Sequence, residues 1–305
     1  MGKCFLCPRR CGADRETEKG YCGCDSRVRI ARVGRHFWEE PCISGKNGSG
    51  AVFFIGCPLH CVYCQNREIS AGACNLSPGR SFDISALSEL FLHLRDIGCH
   101  NINLVTPTPY TDKIALALRA VKPSLHIPVV FNCGGYESVP ALKMLEGLVD
   151  IYLTDFKYAS GELAARFSAA EDYPKVAAEA LAEMLRQTGA PRFGADGMLE
   201  SGVIVRHLVL PGHRADSMQV LDRIRAEAGG GALLSLMSQY TPNGAETEFR
   251  ELSRRVTTFE YESVVKYARA LGFEGYTQER SSAESGYTPG FDRLGITPAA
   301  AMSCV

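Results

Sequence analysis

The 305-residue sequence predicts an α/β fold, a partial (β/α)6 TIM-type barrel preceded by a cysteine-rich N-terminal lobe. From residue 51 onward, short apolar runs alternate with amphipathic stretches, which is typical of βα units around a parallel sheet. Before residue 51, the chain is rich in glycine, cysteine and charge, and too poor in apolar residues to fold without a stabilising metal. We therefore expect a metal-binding N-terminal extension (1–50), a barrel (51–280) and a C-terminal loop or tail (281–305).

The barrel strands are predicted from short apolar runs, and the helices from apolar residues that recur with a helical period. The predicted strands are 51–56, 101–106, 127–131, 150–154, 203–209 and 232–237, with a shorter run at 273–277 and an alternating segment in the lobe at 27–33. The predicted helices are 84–94, 111–120, 139–145, 173–187, 217–228 and 258–271. Asp83 or Ser85 is a good N-cap for the first of them. Because such barrels carry their chemistry at the C-terminal ends of the strands, the residues after each strand are the candidates.

Composition narrows the class of protein. The formal net charge is −1, and no basic block stands out, so a nucleic-acid partner is not expected. The N-terminus lacks the apolar stretch of a secretion signal, and no run reaches the length of a membrane span. The sequence therefore predicts a cytoplasmic protein without a membrane partner. In that reducing compartment, the 13 cysteines indicate metal binding rather than disulfides.

Three cysteines follow the first predicted barrel strand directly. Cys57, Cys61 and Cys64 lie in the run GCPLHCVYCQN, so three thiolates share one loop. Thiolates suit zinc and iron–sulfur clusters. A structural zinc site needs a fourth protein ligand, either His60 or a distant residue, whereas a [4Fe-4S] cluster held by three cysteines keeps one iron open for a reactant. The loop should turn His60 away from its neighbouring cysteines, but the spacing alone does not choose between a cluster and a zinc site closed by a distant residue.

The CxxxCxxC spacing, with Tyr63 before the last cysteine and a glycine ending the preceding strand, resembles the signature of the radical S-adenosylmethionine (SAM) superfamily. The loop is especially similar to that of the glycyl-radical-enzyme activases. Most of the chain resembles the pyruvate formate-lyase activating-enzyme-like Fe–S protein family. The segments that carry this resemblance are WEEPCISG (38–45), INLVTPTPY (102–110), DIYLTDFKY (150–158), VRHLVLPGH (205–213) and SLMSQYTP (235–242).

This resemblance implies the cofactors and the reaction. It implies a [4Fe-4S] cluster on Cys57, Cys61 and Cys64, and SAM bound to the open iron. Reductive cleavage of SAM would then give a 5′-deoxyadenosyl radical that abstracts hydrogen. It also implies a flavodoxin- or ferredoxin-type electron donor and no separate acid or base, because the cofactor carries the chemistry.

The strand ends supply the residues expected to bind SAM. The resemblance assigns Tyr63 to the adenine, and it places Thr106 and Thr108 where relatives carry a GGE-type turn for the SAM amino group. The remaining candidates follow later strands or lie within them, and they are Asn132, Gly134, Asp155, Lys157, Arg206 and Gln239. Strand alternation puts Asp155 and Lys157 on one face. A buried Arg206 needs a partner, which a cofactor carboxylate would supply.

The N-terminal cysteines form a second group with the spacing of metal ligands. Cys4, Cys7, Cys11 and Cys22 provide four thiolates, and Cys24 or Cys42 is an alternative to the last of these. Four thiolates are enough for zinc or for an auxiliary Fe–S cluster, and the sequence does not choose between the two metals. Free thiols without metal are the alternative.

Three functions remain open at this point. The first is an activase that generates a glycyl radical on a protein partner. The second is a radical SAM enzyme that modifies a peptide or a small molecule directly. The third, from another class, is a non-catalytic module that binds zinc or handles RNA. The sequence does not identify the substrate.

Overall fold

The computed structural model describes residues 2–70, 79–242 and 248–278. Its strands are β1 Val28–His36, β2 Ser49–Phe54, β3 Arg80–Phe82, β4 Ile102–Val105, β5 Val129–Cys133, β6 Ile151–Asp155, β7 Arg192–Phe193, β8 Leu199–Leu208, β9 Leu233–Met237 and β10 Gly275–Thr277. Its helices are α1 Pro41–Ser44, α2 Ile84–Asp96, α3 Thr111–Leu125, α4 Val139–Lys143, α5 Gly161–Ser168, α6 Tyr173–Thr188, α7 Arg214–Ala228 and α8 Thr258–Ala270.

The strands form one curved sheet in the order β10-β9-β8-β6-β5-β4-β2-β1-β3. Neighbouring strands from β2 to β10 in this order run parallel, whereas β1 pairs antiparallel with both β2 and β3. Within the described residues, the two end strands β3 and β10 do not pair, so the sheet stays open. The predicted partial α/β barrel is confirmed.

The helices cover the outer face of the sheet and close the main core. Buried side chains of α2 and α3, including Leu87, Phe91 and Leu118, pack against outward-facing strand residues such as Phe54 and Leu104. At about 25 cal/mol for each Å² of apolar surface removed from water, this layer is the main source of stability. Asp83 caps α2, since its side chain accepts a hydrogen bond from the amide of Ala86.

The segment 37–45 links β1 to β2 and enters the barrel. Cys42 and Ile43 are buried in its interior, where they pack with Val130, Ile151 and Leu233. Tyr276 of β10, on the opposite side of the opening, packs against the same cluster. The open side of the barrel is therefore partly filled by the chain itself.

Each predicted strand and helix has its counterpart, with ends that differ by up to five residues. The sequence analysis missed helices α1 and α5 and strands β3 and β7. It also placed a boundary at residue 50, whereas β1 belongs to the same sheet as β2. The predicted tail, 281–305, lies outside the described residues.

Candidate functional site

A cavity of about 400 Å³ opens at the C-terminal ends of the parallel strands. Cys57, Cys61 and Cys64 all line it. Eight of the nine residues expected to bind SAM also line it, namely Tyr63, Thr106, Asn132, Gly134, Asp155, Lys157, Arg206 and Gln239. The ninth, Thr108, does not. Fold topology thus brings together residues that are separated by up to 182 positions in the sequence.

The cysteine loop begins at Gly56, whose φ of +91° favours glycine. A Cβ at this position would lie 2.0 Å from the sulfur of Cys24. The turn therefore has no room for any side chain, which is a second reason for glycine here. His60 does not line the cavity, because its ring stacks on Tyr21 with centroids 4.4 Å apart. In the described residues, no three His, Cys, Asp or Glu side chains converge on a single metal position. The three thiols are instead spread around one cavity.

The surroundings of this loop favour the protonated form of two of its thiols. Burial raises the pKa of Cys57 well above its usual value, and the neighbouring thiols of Cys61 and Cys64 raise it further. Burial likewise raises the pKa of Cys64 to about 11. Three thiolates in one loop would repel each other, and metal binding would release their protons and balance the charge. The donor set therefore fits an iron–sulfur cluster.

Cys61 lies at the end of a chain of hydroxyl groups. Ser168, the last residue of α5, donates from Oγ to the sulfur of Cys61 at 3.0 Å. Because that proton is committed, the hydroxyl of Tyr158 donates to Ser168 Oγ at 2.7 Å. The hydroxyl of Tyr63 is 2.6 Å from that of Tyr158 and completes the chain. Hydrogen bonds to a ligating sulfur stabilise its negative charge.

The end of β4 carries the candidate turn for the SAM amino group. Thr106 follows β4 with φ +58°, a left-handed conformation that is unfavourable for a β-branched residue. Such outliers concentrate at ligand-binding positions. Thr108 lies in the next turn, where its hydroxyl donates to buried Glu137 at 2.8 Å, away from the cavity. Of the two threonines, only Thr106 is placed to contact a ligand in the cavity.

The ends of β5 and β6 are held together closely. Gly134 lines the cavity, and Gly135 has φ +79°. A Cβ on Gly135 would lie 2.1 Å from the carbonyl oxygen of Asp155, so this close approach requires glycine. Asp155 and Lys157 share the inward face and form an ion pair. Burial opposes the charge on Lys157, but Asp155 raises its pKa well above its usual value.

Arg206 has protein partners, which is a correction to the partner expected from the sequence. Its Nε donates to Glu40 Oε1 at 2.8 Å, and its Nη2 donates to Glu40 Oε2 at 2.6 Å and to Glu39. Both glutamates come from the segment 37–45. Nη1 has no acceptor among the described residues and Arg206 lines the cavity, so one edge of the guanidinium stays available to a ligand.

Glu39 and Glu40 also bind the strands around them. Glu39 Oε1 accepts from Asn103 Nδ2 at 2.8 Å and from Asn132 Nδ2 at 3.2 Å, and Glu40 is bonded by Ser235. We call Glu39, Glu40 and Arg206 the carboxylate–guanidinium network. The sequence analysis missed both glutamates as site residues. The two adjacent glutamates in WEEP could have been identified as partners of Arg206 only by searching the sequence for acids to balance a buried arginine.

The remaining candidates, Tyr63 and Gln239, line the cavity wall. The ring of Tyr63 is buried and meets those of Tyr158 and Tyr240 edge-on. Gln239 Oε1 accepts from Gln278 Nε2 at 3.1 Å. Either side chain can present polar atoms and an apolar face to a nucleoside.

The N-terminal cysteines lie outside this cavity. A Cβ at Gly20 would be 3.4 Å from the sulfur of Cys11 and 3.6 Å from that of Cys22, so these two thiols flank the same glycine. Burial raises the pKa of Cys7 to about 12, and the nearby thiols of Cys22 and Cys4 contribute. Cys24 donates to the carbonyl of Ile55 at 3.2 Å, and its side chain also forms a hydrogen bond with that of Cys22, which lowers the pKa of Cys22 to about 6.

Arg9 fastens this N-terminal region to the cysteine loop. Its Nε donates to the carbonyl oxygen of Pro58 at 2.8 Å, and its Nη2 donates to that of Ser168 at 3.1 Å. The guanidinium also lies 4.4 Å from the ring centroid of Tyr21. The lobe thereby contacts both the loop and the end of α5.

Comparisons with known proteins show which other proteins share this fold. No family model matches the chain. An uncharacterized protein of Methanocaldococcus jannaschii is 29% identical over 279 residues, which cover 89% of this chain and 75% of that protein. No helix in the described residues is long and apolar enough to cross a membrane.

Two solved structures share the architecture. Streptococcus suis SuiB bound to S-adenosylmethionine matches with a TM-score of 0.51 and 11% identity, over 73% of this chain and 48% of SuiB. A radical SAM methyltransferase from Sphaerobacter thermophilus matches with a TM-score of 0.50 and 13% identity, over 73% of this chain and 63% of that protein. The chain spans about half to two thirds of their lengths. The protein therefore has the open α/β barrel fold that is found in radical SAM enzymes.

Proposed function

We propose that this protein is a radical SAM enzyme that reductively cleaves SAM at a [4Fe-4S] cluster held by Cys57, Cys61 and Cys64. The observation that carries the proposal is the presence of all three thiols in one cavity with eight of the nine predicted SAM-binding residues. The bound cluster and SAM would supply one-electron cleavage of the S–C5′ bond, giving methionine and a 5′-deoxyadenosyl radical.

The protein's own residues would bind and orient the cofactor. The three thiolates hold three irons of the cluster, and the loop offers no fourth ligand, since His60 is stacked on Tyr21. Asp155, Lys157 and the free edge of Arg206 offer charged groups for the methionyl end of SAM and for its ribose. The Tyr63 ring and Gln239 line the wall that would receive the adenine.

The test is anaerobic reconstitution with iron and sulfide, followed by reduction with dithionite in the presence of SAM. We expect about four irons and four sulfides at this loop, a brown absorption band, and 5′-deoxyadenosine detected by mass spectrometry. Cys61→Ala should abolish SAM cleavage, whereas Cys99→Ala, a buried cysteine outside the cavity, should retain it. A protein that bound one zinc ion at this loop and produced no 5′-deoxyadenosine would refute the proposal.

The finer assignment distinguishes an activase from an enzyme that acts directly on a peptide or small molecule. We propose an activating-enzyme-like oxidoreductase on the resemblance of the cysteine loop to the activases. An activase would produce a glycyl-radical EPR signal on a protein partner. A direct enzyme would instead form 5′-deoxyadenosine in proportion to the turnover of a small substrate, and a non-catalytic zinc- or RNA-binding module would do neither.

We further propose that Cys4, Cys7, Cys11 and Cys22 bind a second metal, either zinc or Fe–S. The support is that the thiols of Cys11 and Cys22 flank Gly20, that those of Cys4 and Cys22 lie near Cys7, and that Arg9 links this lobe to the cysteine loop. Cys7→Ala should lose this second metal, measured by elemental analysis, and leave the main cluster assembled. We also propose a cytoplasmic location and a flavodoxin- or ferredoxin-type reductant, with neither nucleic acid nor a membrane as a partner.

A further inference from the structure

A single hydroxyl group outside the cavity binds three backbone groups of the candidate SAM site. Tyr173 Oη donates to the carbonyl oxygens of Gly134 at 2.8 Å and of Asp155 at 3.0 Å, so the two carbonyls share its one proton. The same oxygen accepts from the amide of Lys157 at 3.0 Å. These three residues line the cavity, whereas Tyr173 does not. The hydroxyl therefore holds the ends of β5 and β6 together from behind the cavity wall.

Lys157 depends on this hydroxyl more than its neighbours do. The pairing of β6 with β8 ends at Asp155 and Arg206, and the amide of Phe156 still donates to the Arg206 carbonyl at 2.8 Å. The amide of Lys157, which comes next, donates to Tyr173 instead of to a neighbouring strand. The position of Lys157 beyond the end of the strand is thus fixed by a side chain of helix α6.

Packing fixes the ring that carries the hydroxyl. Tyr173 is fully buried at the first position of α6. Tyr136 stacks on it with ring planes at 10° and centroids 6.1 Å apart, and Tyr158 meets it edge-on with centroids 5.5 Å apart. Tyr136 is itself held by its hydrogen bond to Asp172 at 2.7 Å. A side chain that is locked by its packing can hold other groups in one precise geometry.

The hydroxyl keeps its proton, so it remains a donor. Burial raises the pKa of Tyr173 well above its usual value. The side chain of Lys157 is 17% exposed and pairs with that of Asp155, which is 25% exposed. A shift of the Lys157 backbone would therefore move a charged pair that is largely withdrawn from solvent. A misplacement of about 1 Å in a catalytic site can cost about 100-fold in rate.

We propose that Tyr173 is a positioning residue for SAM, which acts through Lys157 and does not touch the cofactor. This inference rests on the proposed function and adds to its site a residue that lies outside the cavity. The hydroxyl sets the place of the Lys157 backbone, and with it the place of the ammonium group that would meet SAM.

The test is Tyr173→Phe, which removes the hydroxyl and keeps the ring. SAM would be titrated calorimetrically into the oxidised, anaerobically reconstituted protein, in which SAM binds without being cleaved. We expect the variant to contain as much iron and sulfide as the parent protein. Its dissociation constant for SAM should be at least about tenfold higher.

Tyr152→Phe is the matched control. The Tyr152 hydroxyl is also buried and also joins β6 to α6, since it donates to Gln187 Oε1 at 2.6 Å, but Tyr152 does not line the cavity. This variant should lose stability in urea denaturation much as Tyr173→Phe does, and it should bind SAM as tightly as the parent protein. The comparison separates positioning from a general loss of stability.

Lys157→Ala provides a second measurement, because it removes the ammonium group but keeps the amide that donates to Tyr173. If the hydroxyl acts through the Lys157 side chain, adding Tyr173→Phe to this variant should weaken SAM binding further by at most about twofold. Residues that act as one unit give such non-additive effects, whereas independent residues give additive ones. A further loss as large as that in the parent background would overturn the proposal.

The remaining outcomes separate this inference from the proposed function. If the parent protein binds SAM and Tyr173→Phe binds it equally tightly, the inference fails and the proposed function stands. The same holds if Tyr152→Phe weakens SAM binding as much, or if Tyr173→Phe no longer assembles the cluster, since the hydroxyl would then support the fold alone. If the parent protein assembles no cluster, the proposed function fails, and this inference fails with it.

Discussion

Ser168 Oγ donates a hydrogen bond of 3.0 Å to the sulfur of Cys61, although the two residues are 107 positions apart. The contact depends on helix α5, which ends at Ser168 and delivers the hydroxyl to the cysteine loop. Arg9 holds the same end of the helix through its hydrogen bond to the Ser168 carbonyl. The environment of one thiol is thus set by three separate parts of the chain.

Ser168→Ala should make the reduction potential of the proposed cluster more negative. A hydrogen bond to a ligating sulfur stabilises the reduced, more negative state. If the hydrogen bond is stronger by about 1 kcal/mol in the reduced state than in the oxidised state, its loss lowers the one-electron potential by about 40 mV. Potentiometric titration followed by EPR would measure the shift. Ser160→Ala, which removes the N-cap of the same helix, should lower stability without a comparable shift, and an unchanged potential in Ser168→Ala would contradict the prediction.

Glu137 should make the stability of the protein depend on pH. Burial raises the pKa of this carboxyl from 4.5 to about 7, despite its hydrogen bond from Thr108. Its folded-state pKa lies above its unfolded value, so the stabilising contribution is complete below pH 4.5 and is lost as the pH rises through 7.

We therefore expect Glu137→Gln to gain stability relative to the parent protein between pH 5.5 and pH 8, by roughly 2 kcal/mol. Glutamine keeps the acceptor for Thr108 but does not titrate in this range. Anaerobic urea denaturation at the two pH values measures the change. A difference between variant and parent that stayed constant with pH would show that Glu137 is not the group responsible.

Gly135→Ala should destabilise the junction of β5 and β6 severely. The added methyl group would meet the Asp155 carbonyl at 2.1 Å, in a backbone with φ +79°. Gly147→Ala is the matched control, because Gly147 has φ +74° and nothing within 4 Å of the new Cβ. The control should cost about 1–2 kcal/mol from backbone strain alone. Thermal unfolding should show a clearly larger loss for Gly135→Ala, and equal losses would contradict the structure.

Arg206→Leu should unfold the interior of the barrel by leaving Glu39 and Glu40 without their shared cation. Breaking a buried ion pair from one side costs about 3–5 kcal/mol. Arg192→Leu provides the comparison, since its ion pair with Glu200 is largely exposed and should contribute at most about 1 kcal/mol. Urea denaturation of both variants measures the two losses, and an effect at Arg206 as small as that at Arg192 would contradict the prediction.

The features that were predictable from the sequence are those with a local signal. Apolar runs of five to seven residues identified the parallel strands, and the thiol spacing identified the cysteine loop, because both patterns lie within a few neighbouring residues. The shared face of Asp155 and Lys157 followed from alternation along β6, whereas their ion pair was not predicted. Helix α5 also has a local signal, since Ser160 caps it and Leu163, Ala164 and Phe167 form an apolar stripe, but its eight residues were too short to stand out.

The features that could not be predicted from the sequence depend on tertiary contacts. Glu39 and Glu40 reach Arg206 across more than 160 residues, and no local pattern relates the two segments. Thr108 followed the same strand as Thr106, yet the tight turn between them directs its hydroxyl to Glu137. Composition marked residues 1–50 as a separate lobe, whereas backbone pairing makes β1 part of the barrel sheet.

The pairing of β1 with β2 limits how the chain can be shortened. A fragment that started at residue 51 would retain every residue of the cysteine loop. It would nevertheless present the hydrogen-bonding edge of β2 to solvent, because the pairing of Gly34 with Ala51 and the other β1 contacts would be gone. Exposed strand edges recruit other chains. Such a fragment should therefore self-associate on expression, and any trimmed version suitable for biochemistry must begin upstream of Val28.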